Sequence, residues 1–332
     1  MDIIGIIYAV ICAVAWGSWL VPSEKVKFPT EQAKTFFVAL ATTIIAVVVV
    51  GIRGEVGQLS TLMAWLPLLG GLIWAISAYC AFVACKHIGI AKAFGIWAPL
   101  NVVVSFIWGL TLLGQNRDLS GIIWLVAVGF AVLMFGGIFM IIFSGGTGDE
   151  DKDASKSTAK GLLGAVGAGI LWGTFFIPAA YISQNAGDMP AVSPWASGLP
   201  LAVGMFIGTG IMVILTGKSP KLEKPSDYVR VLSSGGLWAL GFFMMLKVVD
   251  MIGAGPGYTI ASLCVAVNAL WGVFYFKDPK PKTRAAKMTL AGVAIALIAG
   301  ILLGYIGDID TRYKDAKGIT PAVEIAAPAA IK

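Results

Sequence analysis

The sequence predicts an all-α polytopic membrane protein in which ten transmembrane helices form two inverted five-helix repeats. Of its 332 residues, 58% are hydrophobic and 13% are charged, whereas roughly a quarter of the residues in soluble domains are charged. Its apolar runs are about twenty residues long, which is the length that crosses the hydrocarbon core of a bilayer as a helix. A motif that recurs in the two halves of the chain predicts the repeat.

Ten apolar segments follow one another, separated by short polar loops. A helix satisfies its own backbone N–H and C=O groups, which find no water partner in lipid, so each segment is predicted to be one spanning helix. The first segment lacks the basic region of a cleaved signal peptide, and we expect it to be retained. The predicted spans are residues 3–22, 34–52, 61–84, 89–113, 121–144, 160–182, 194–216, 228–249, 254–276 and 287–307.

Two polar stretches divide the chain. Residues 145–159 are small, polar and charged, and we interpret them as a flexible cytoplasmic linker between a first repeat at 1–144 and a second repeat at 160–307. Residues 308–332 show no apolar period and end in Ala/Pro-rich sequence, which predicts a disordered tail.

The repeat rests on a motif that occurs in spans one and six. The segment Trp16–Pro22 reads Trp-Gly-Ser-x-x-x-Pro, and Trp172–Pro178 reads Trp-Gly-Thr-x-x-x-Pro. The segment Ala98–Gly109 likewise aligns with Ala261–Gly272. Because each copy has an odd number of spans, the second copy enters the membrane from the opposite side. Inverted repeats are typical of carriers that expose one site alternately to each side, although channels also contain them.

Loop cations predict the orientation. The loops after odd-numbered spans carry 17 of the 24 lysines and arginines, and the other loops and the tail carry seven. Because positive loops stay in the cytoplasm, we expect both termini outside and the linker inside. The formal charge of +6 is therefore explained by the cations of the cytoplasmic loops. We expect no nucleic-acid partner.

Aromatic and neutral polar side chains within the spans predict a shared binding cavity. A tryptophan or tyrosine could instead belong to the interfacial belt, and an asparagine could instead bridge two helices. The candidate substrate-binding residues are Trp16, Ser18, Trp74, Trp97, Asn101, Trp108, Trp172, Thr174, Trp238, Tyr258, Asn268 and Trp271.

These residue types favour an uncharged polyhydroxylated ligand. The C–H face of a sugar stacks on an aromatic ring while its hydroxyls meet amide and hydroxyl groups. An anionic ligand would need a buried cation, and none lies in the middle of a span. Proton coupling normally needs a carboxylate or histidine in the pathway. The candidates for coupling or gating are Glu24, Lys92 and Asp250, for which solvated charges at helix ends are the alternative.

The sequence contains no pattern for an enzyme, a metal site or a cofactor. It has no nucleotide-type glycine loop after a strand, no metal-type Cys-x-x-Cys and no nucleophile–base pair. The four cysteines lie in apolar segments, where we expect inert buried thiols. Gly204 and Gly208 have the spacing that lets membrane helices approach closely, so we interpret them as packing residues.

Ten spans in a five-plus-five arrangement with Trp-Gly-[Ser/Thr]-x-x-x-Pro in spans one and six resemble the drug/metabolite transporter superfamily. Ile88–Ala91 leading to Trp97–Asn101 resembles its glucose/ribose porter branch, as does Ile252–Gly257 leading to Trp271–Asp278. The resemblance covers residues 3–307. It implies an alternating-access carrier with a central cavity formed by spans one, three, four, six, eight and nine.

One position departs from the pattern of that superfamily. Many members end spans four and nine with an acid; Asp278 keeps it, but Gln115 stands in the first half. The leading hypothesis is a carrier for a neutral sugar or sugar-like metabolite, with proton symport left open. A carrier for amino acids or another small solute and a non-transport membrane protein are the alternatives. The expected partners are a small solute and the lipid bilayer, at the cell membrane if the source is prokaryotic, and the oligomeric state is undetermined.

Overall fold

The structure, a computed structural model, describes residues 3–113, 118–144, 157–184, 192–252 and 263–318. Within these ranges the chain forms helices and turns and no strand. Short 3₁₀ turns at Val56–Ser60 and Leu62–Trp65 precede α3, and a π-helical turn at Trp271–Phe276 continues α10. The helices are α1 Ile3–Ser18, α2 Glu31–Arg53, α3 Pro67–Ile88, α4 Ile90–Thr111, α5 Gly121–Ile142, α6 Thr158–Trp172, α7 Ile177–Gln184, α8 Pro194–Leu215, α9 Pro225–Ile252, α10 Cys264–Leu270, α11 Arg284–Gly304 and α12 Ile306–Ala316.

The protein is a multi-pass membrane protein. Among the described residues, eight helical segments are long and apolar enough to cross a bilayer, and they coincide with eight of the predicted spans. The predicted span one, 3–22, overlaps the shorter apolar helix Ile3–Ser18, and the predicted span nine, 254–276, overlaps the shorter apolar helix Cys264–Phe276. Residues 254–262 of span nine lie outside the described part of the chain. Large apolar side chains such as Leu125 and Ile214 are 69% and 76% exposed. A surface of this kind is stable against lipid rather than water.

Helix starts follow from local sequence. A hydroxyl residue precedes each of four helices, and its side-chain oxygen accepts a hydrogen bond from the backbone amide three residues on, which would otherwise have no partner. Proline opens α3 and α8, where the missing N–H is not needed. The capping residues are Thr30, Ser157, Ser193 and Thr283.

Small residues bring α3 against α8. A Cβ on Gly71 would lie 2.0 Å from the carbonyl oxygen of Leu201, and one on Gly204 would lie 2.1 Å from that of Leu68. Only glycine permits such an approach of two backbones. The predicted packing role of Gly204 is confirmed, as is that of Gly208, where a Cβ would lie 2.8 Å from the Cβ of Ala75.

Most of the large helix contacts join the two halves of the chain. Helix α3 packs on α6 and α8, α9 packs on α1 and α2, α4 packs on α6, and α10 packs on α1 and α4. Two further cross-half contacts, α2 with α8 and α5 with α11, complete the bundle. The main buried core therefore lies where α1, α2, α3 and α4 meet α6, α8, α9 and α10.

The structure corrects the predicted boundary of the disordered tail. Residues 308–316 belong to α12, whose Ile306, Ile309 and Tyr313 pack on the apolar cluster around α5 and α11. The carboxylate of Asp310 accepts hydrogen bonds from the backbone amide of Ser120 and from Lys314. These three residues form an apolar face at i, i+3 and i+7 within an otherwise polar segment. Residues 319–332 lie outside the described part of the chain.

Candidate functional site

Helix α1 ends inside the first recurring motif because of a proline. Pro22 has no N–H for the carbonyl four residues earlier, that of Ser18. The amide of Val21 turns to this carbonyl instead, donating to it at 3.0 Å. In a continuing helix the same amide would serve the carbonyl of Gly17. That carbonyl accepts a hydrogen bond from the side-chain amide of Asn268 in α10 at 3.2 Å.

The second motif repeats this arrangement at the end of α6. Pro178 cannot serve the carbonyl of Thr174, and the amide of Ile177 donates to it at 3.0 Å. The carbonyl of Gly173 is then served by the hydroxyl of Ser105 in α4, which donates at 3.2 Å. In both motifs a neighbouring helix supplies the hydrogen bond that the proline removes, as a broken helix in a membrane requires.

A second pair of hydrogen bonds joins the same elements. The indole N–H of Trp271 donates to the hydroxyl of Ser18 at 2.9 Å. The indole N–H of Trp108 donates to the hydroxyl of Thr174 at 3.0 Å. Four of the predicted site residues thus bind one another in pairs and hold the broken ends of α1 and α6 against α10 and α4. The side-chain oxygen of Asn101 also lies 3.2 Å from the Ser105 hydroxyl, whose single proton it shares with the carbonyl of Gly173.

The glycine of each motif allows this close contact. A Cβ on Gly17 would lie 2.5 Å from the Cβ of Val267, and one on Gly173 would lie 2.6 Å from the Cβ of Val104. Atoms cannot approach so closely, so a larger residue would push α10 or α4 away. The Trp-Gly-[Ser/Thr] motif is therefore a helix-contact element.

A central aromatic cluster lies between α1, α3 and α9 and comprises Trp16, Trp74, Trp238 and Phe242. The Trp74 and Trp238 rings meet edge to face at 5.0 Å, and the rings of Trp238 and Phe242 stack at 5.3 Å. The indole N–H of Trp16 donates to the carbonyl of Trp238 at 3.2 Å. Three of the predicted site residues therefore form one packed unit in the interior of the helix bundle.

Two buried polar atoms near the centre have no hydrogen-bond partner among the described residues. They are the indole N–H of Trp74 and the side-chain oxygen of Asn268, and both residues have no exposed surface. An unsatisfied buried donor or acceptor costs about 1–3 kcal/mol. Unsatisfied buried groups are rare in folded proteins, and a functional role is one of the reasons for which they are retained.

A second aromatic cluster packs around Trp172, the first residue of the motif at the end of α6. Its members are Trp19, Phe82, Phe94, Trp97 and Trp172. Trp172 is in edge-to-face contact with Trp97 at 5.2 Å and with Trp19 at 6.2 Å. Phe82 packs against Trp19 at 5.5 Å. The predicted site residues Trp97 and Trp172 thus belong to a different cluster from Trp16, Trp74 and Trp238.

An ion pair closes the end of this second cluster. Lys34 lies 3.6 Å from Glu24, and its ammonium group lies 4.4 Å from the centre of the Phe82 ring. Burial raises the pKa of Glu24, and the nearby Lys34 opposes this rise. Lys34, the first residue of the predicted second span, is one of the 17 cations assigned above to the loops after odd-numbered spans, yet it is buried. Its position in the first turn of an apolar helix was the only signal of burial.

Lys92 and Asp278 extend the charged end of the bundle. Lys92 is buried in α4, and the charge of Asp278 acts on both Lys92 and Glu24. The carboxylate of Asp278 lies against Gly89, where a Cβ would come 2.5 Å from it and where φ is +78°. The structure therefore brings two of the three predicted coupling residues, Glu24 and Lys92, to one end of the molecule.

The remaining predicted residues are only partly described. Tyr258 lies outside the described residues, and Asp250 is described only as a backbone position in α9. Sequence reasoning missed Phe82 and Phe242 as parts of these contacts, because a phenylalanine in an apolar span carries no polar signal.

Known proteins resemble this chain over almost its whole length. A family model described as "Sugar transport protein" matches residues 7–306. A Listeria monocytogenes protein named for sugar uptake is 25% identical, with 90% of this chain and 98% of the relative aligned. A Priestia megaterium protein named for glucose uptake is 24% identical over the same shares. A solved crystal structure, 13% identical, has a TM-score of 0.60 over 95% of this chain and 100% of its own, a likeness of fold alone.

Proposed function

The chain belongs to the sugar transport protein family, and from this premise we propose that it is a secondary carrier for a neutral sugar or sugar-like metabolite. The solute is carried by alternating access between two inverted five-helix repeats, one at 1–144 and one at 160–307, joined by the linker at 145–159. The same proposal places the chain in the drug/metabolite transporter superfamily, in the glucose/ribose porter branch.

The cross-half contacts support the inverted repeat. Helix α1 packs on α9 and α10, and its counterpart α6 packs on α3 and α4. The two proline-broken motifs make matched hydrogen bonds to α10 and α4. A rotation that exchanges the halves would carry each contact onto the other. Elements related in this way can exchange conformations, which is what alternating access requires.

The central aromatic cluster is the proposed sugar site. In a state where these packed rings separate, their faces would meet the C–H face of a sugar. The indole N–H of Trp74, which has no partner among the described residues, would then donate to a sugar hydroxyl. This buried donor is the observation that carries the proposal. Asn268 has a matching acceptor atom without a partner among the described residues. Ser18, Trp108, Thr174 and Trp271 position the helices around the site, because they already bind one another.

Glu24 is the proposed proton-coupling residue, with Lys92 and Asp250 as further candidates. Burial raises the pKa of Glu24 above that of an ordinary glutamate, and its ion-pair partner Lys34 opposes this rise. Protonation of Glu24 would break this ion pair at the end of the bundle. Proton-driven opening needs both the uptake of a proton by Glu24 and the loss of its ion pair with Lys34.

The proposed orientation places both termini outside and the linker in the cytoplasm. Lys34 and Lys92 are buried, so they contribute little to the loop charge. Without them, the loops after odd-numbered spans still carry fifteen cations against seven elsewhere. Labelling of single cysteines introduced into the 145–159 linker and the 319–332 tail from either side of a sealed vesicle tests this orientation.

The test of the proposed function is uptake of labelled sugars and amino acids by proteoliposomes that contain the purified chain. We expect flux of at least one neutral sugar. The Trp74→Phe variant keeps an aromatic ring but loses the donor, so we expect about a tenfold higher KM, the equivalent of one hydrogen bond. The variant removes an unsatisfied buried group but also leaves a small cavity in a fully buried site, and these effects oppose each other. The melting temperature of the ligand-free form should therefore change little.

Trp124→Phe, a partly buried position in α5 outside both aromatic clusters, is the matched control and should leave KM unchanged. Amino-acid flux without sugar flux would refute the substrate class. An unchanged KM in Trp74→Phe would refute the site while leaving the carrier function standing.

A further inference from the structure

An aromatic groove opens on the outer face of α10 and its π-helical turn. Its volume is about 400 Å³. More than half of the surface of Leu270, Phe274 and Tyr275 is exposed there. In a spanning segment, a groove of this kind faces the acyl chains of the bilayer. The residues that line it are Val267, Leu270, Trp271, Phe274 and Tyr275.

Cations lie over one end of this groove. The ammonium group of Lys25 lies 5.4 Å from the centre of the Tyr275 ring, which brings the α1–α2 loop over the end of the π-helical turn. The loop that follows the turn and the start of α11 are also exposed and strongly basic. The exposed cations of these two segments are Lys25, Lys27, Lys277, Lys280, Lys282, Arg284 and Lys287.

The carboxylates of the same two segments do not neutralise this surface. Glu24 pairs with the buried Lys34, and the carboxylate of Asp278 lies against Gly89 in the bundle. Seven exposed cations therefore face outward with both neighbouring acids turned toward the interior. The result is a basic rim next to an apolar, aromatic groove at a membrane surface.

We propose that this site binds an anionic phospholipid, with its phosphate on Lys25 and Lys277 and an acyl chain along Leu270, Phe274 and Tyr275. Juxtamembrane lysines attract anionic headgroups by about 1 kcal/mol each, and the groove adds apolar contact that a free phosphate cannot use. Trp271 lines this groove and also binds Ser18 in the first motif. The lipid would therefore steady the contact between α1 and α10.

The test is native mass spectrometry of the purified full chain with equal amounts of phosphatidylglycerol and phosphatidylcholine. We expect the wild type to retain phosphatidylglycerol preferentially and Lys25→Gln to lower that preference about fivefold, the factor that corresponds to one lysine. Lys221→Gln is the matched control. Lys221 is an exposed cation of the α8–α9 loop on the same predicted side, and its substitution should leave the preference unchanged.

A second pair of measurements tests the groove. Phe274→Ala should weaken retention of both lipids while the melting temperature of the lipid-free protein stays constant, because this side chain is exposed. Soluble glycerol phosphate should fail to displace the lipid. Equal retention of the two lipids by the wild type would overturn the proposal. So would an effect of Lys221→Gln as large as that of Lys25→Gln, or full displacement by glycerol phosphate.

Discussion

The two proline-broken motifs make the same backbone contact with different side chains. In the first, the carbonyl of Gly17 is served by Asn268, which is completely buried. In the second, the carbonyl of Gly173 is served by Ser105, which is exposed. The proline sets the requirement for a donor in both places. The type of donor is free to differ, which explains how the halves keep one geometry with little sequence identity.

The tryptophans that begin the two motifs differ more. Trp16 packs in the central aromatic cluster and donates to the carbonyl of Trp238. Trp172, at the matching position, packs between Trp19 and Trp97 in the second cluster. The two motifs thus make matching contacts with α10 and α4 through their glycine and hydroxyl residues. Their tryptophans make different contacts in the interior of the bundle. The proposed alternating-access carrier would show this distribution with its two halves in different states.

The largest expected effect comes from the glycines that the motifs share. Gly17→Val and Gly173→Val would each place side-chain atoms inside a neighbouring valine. Since the clash cannot relax without moving α10 or α4, we expect each to cost about 3 kcal/mol or more. The measurement is the yield and melting temperature of the detergent-solubilised protein.

Gly210→Val is the control, because nothing lies within 4 Å of a Cβ at that position in α8. It should change the melting temperature little. If one motif glycine tolerated valine as well as Gly210 does, the two contacts would not be equivalent.

The next effect should separate the two donors. Asn268→Ala leaves a buried carbonyl without a partner and opens a small cavity, so we expect a loss of about 2 kcal/mol. Ser105→Ala removes an exposed donor and should cost about 0.6 kcal/mol, the average for interhelical hydrogen bonds in membranes. Thermal unfolding measures both values. Equal losses would mean that burial does not distinguish the halves.

Asn268→Ser tests the comparison further by placing the first-half residue type in the second half. A serine is shorter, so it should recover only part of the loss seen in Asn268→Ala. Full recovery would indicate that α10 can shift toward α1.

These contacts mark how far sequence reasoning could reach. The spans, the recurring motif and the matching positions of Trp108 and Trp271 in the two halves could be predicted from the sequence. Apolar length and residue spacing depend on local chemistry alone. The bonds between motif and helix were not readable, because they join residues more than 60 positions apart. Lys34 was assigned to a loop, since its burial depends on Phe82 and Glu24. The face of α12 was missed because its three apolar residues stand among charged ones.

A third prediction uses an acid that only one motif has. Glu24 follows the first motif, and Ala180 stands at the matching place in the second. Because burial raises the pKa of Glu24, the folded state holds the proton more tightly than the unfolded state. Stability should therefore fall as the pH rises from the ordinary pKa of glutamate to the raised value. Melting temperatures of the wild type and Glu24→Gln between pH 4 and pH 8 measure this difference.

Glu24→Gln should not show this fall in stability as the pH rises. In transport, it should keep sugar uptake driven by a sugar gradient but lose the stimulation of uptake by an inward proton gradient. Ala180→Gln is the matched control and should retain both responses. A variant that kept the proton response would assign coupling to Lys92 or Asp250.

The smallest expected effect is also the one that should be equal in the two halves. Trp271→Phe with Ser18→Ala, and Trp108→Phe with Thr174→Val, form two double-mutant cycles on matched hydrogen bonds. All four residues are partly exposed, so we expect a coupling energy of about 0.6 kcal/mol in each cycle. A coupling present in one cycle and absent from the other would show that only one half holds its motif closed. Equal couplings would mean that each half keeps its hydrogen bond in whichever conformation it adopts. The two states of the proposed carrier would then differ in the aromatic interior and not at these contacts.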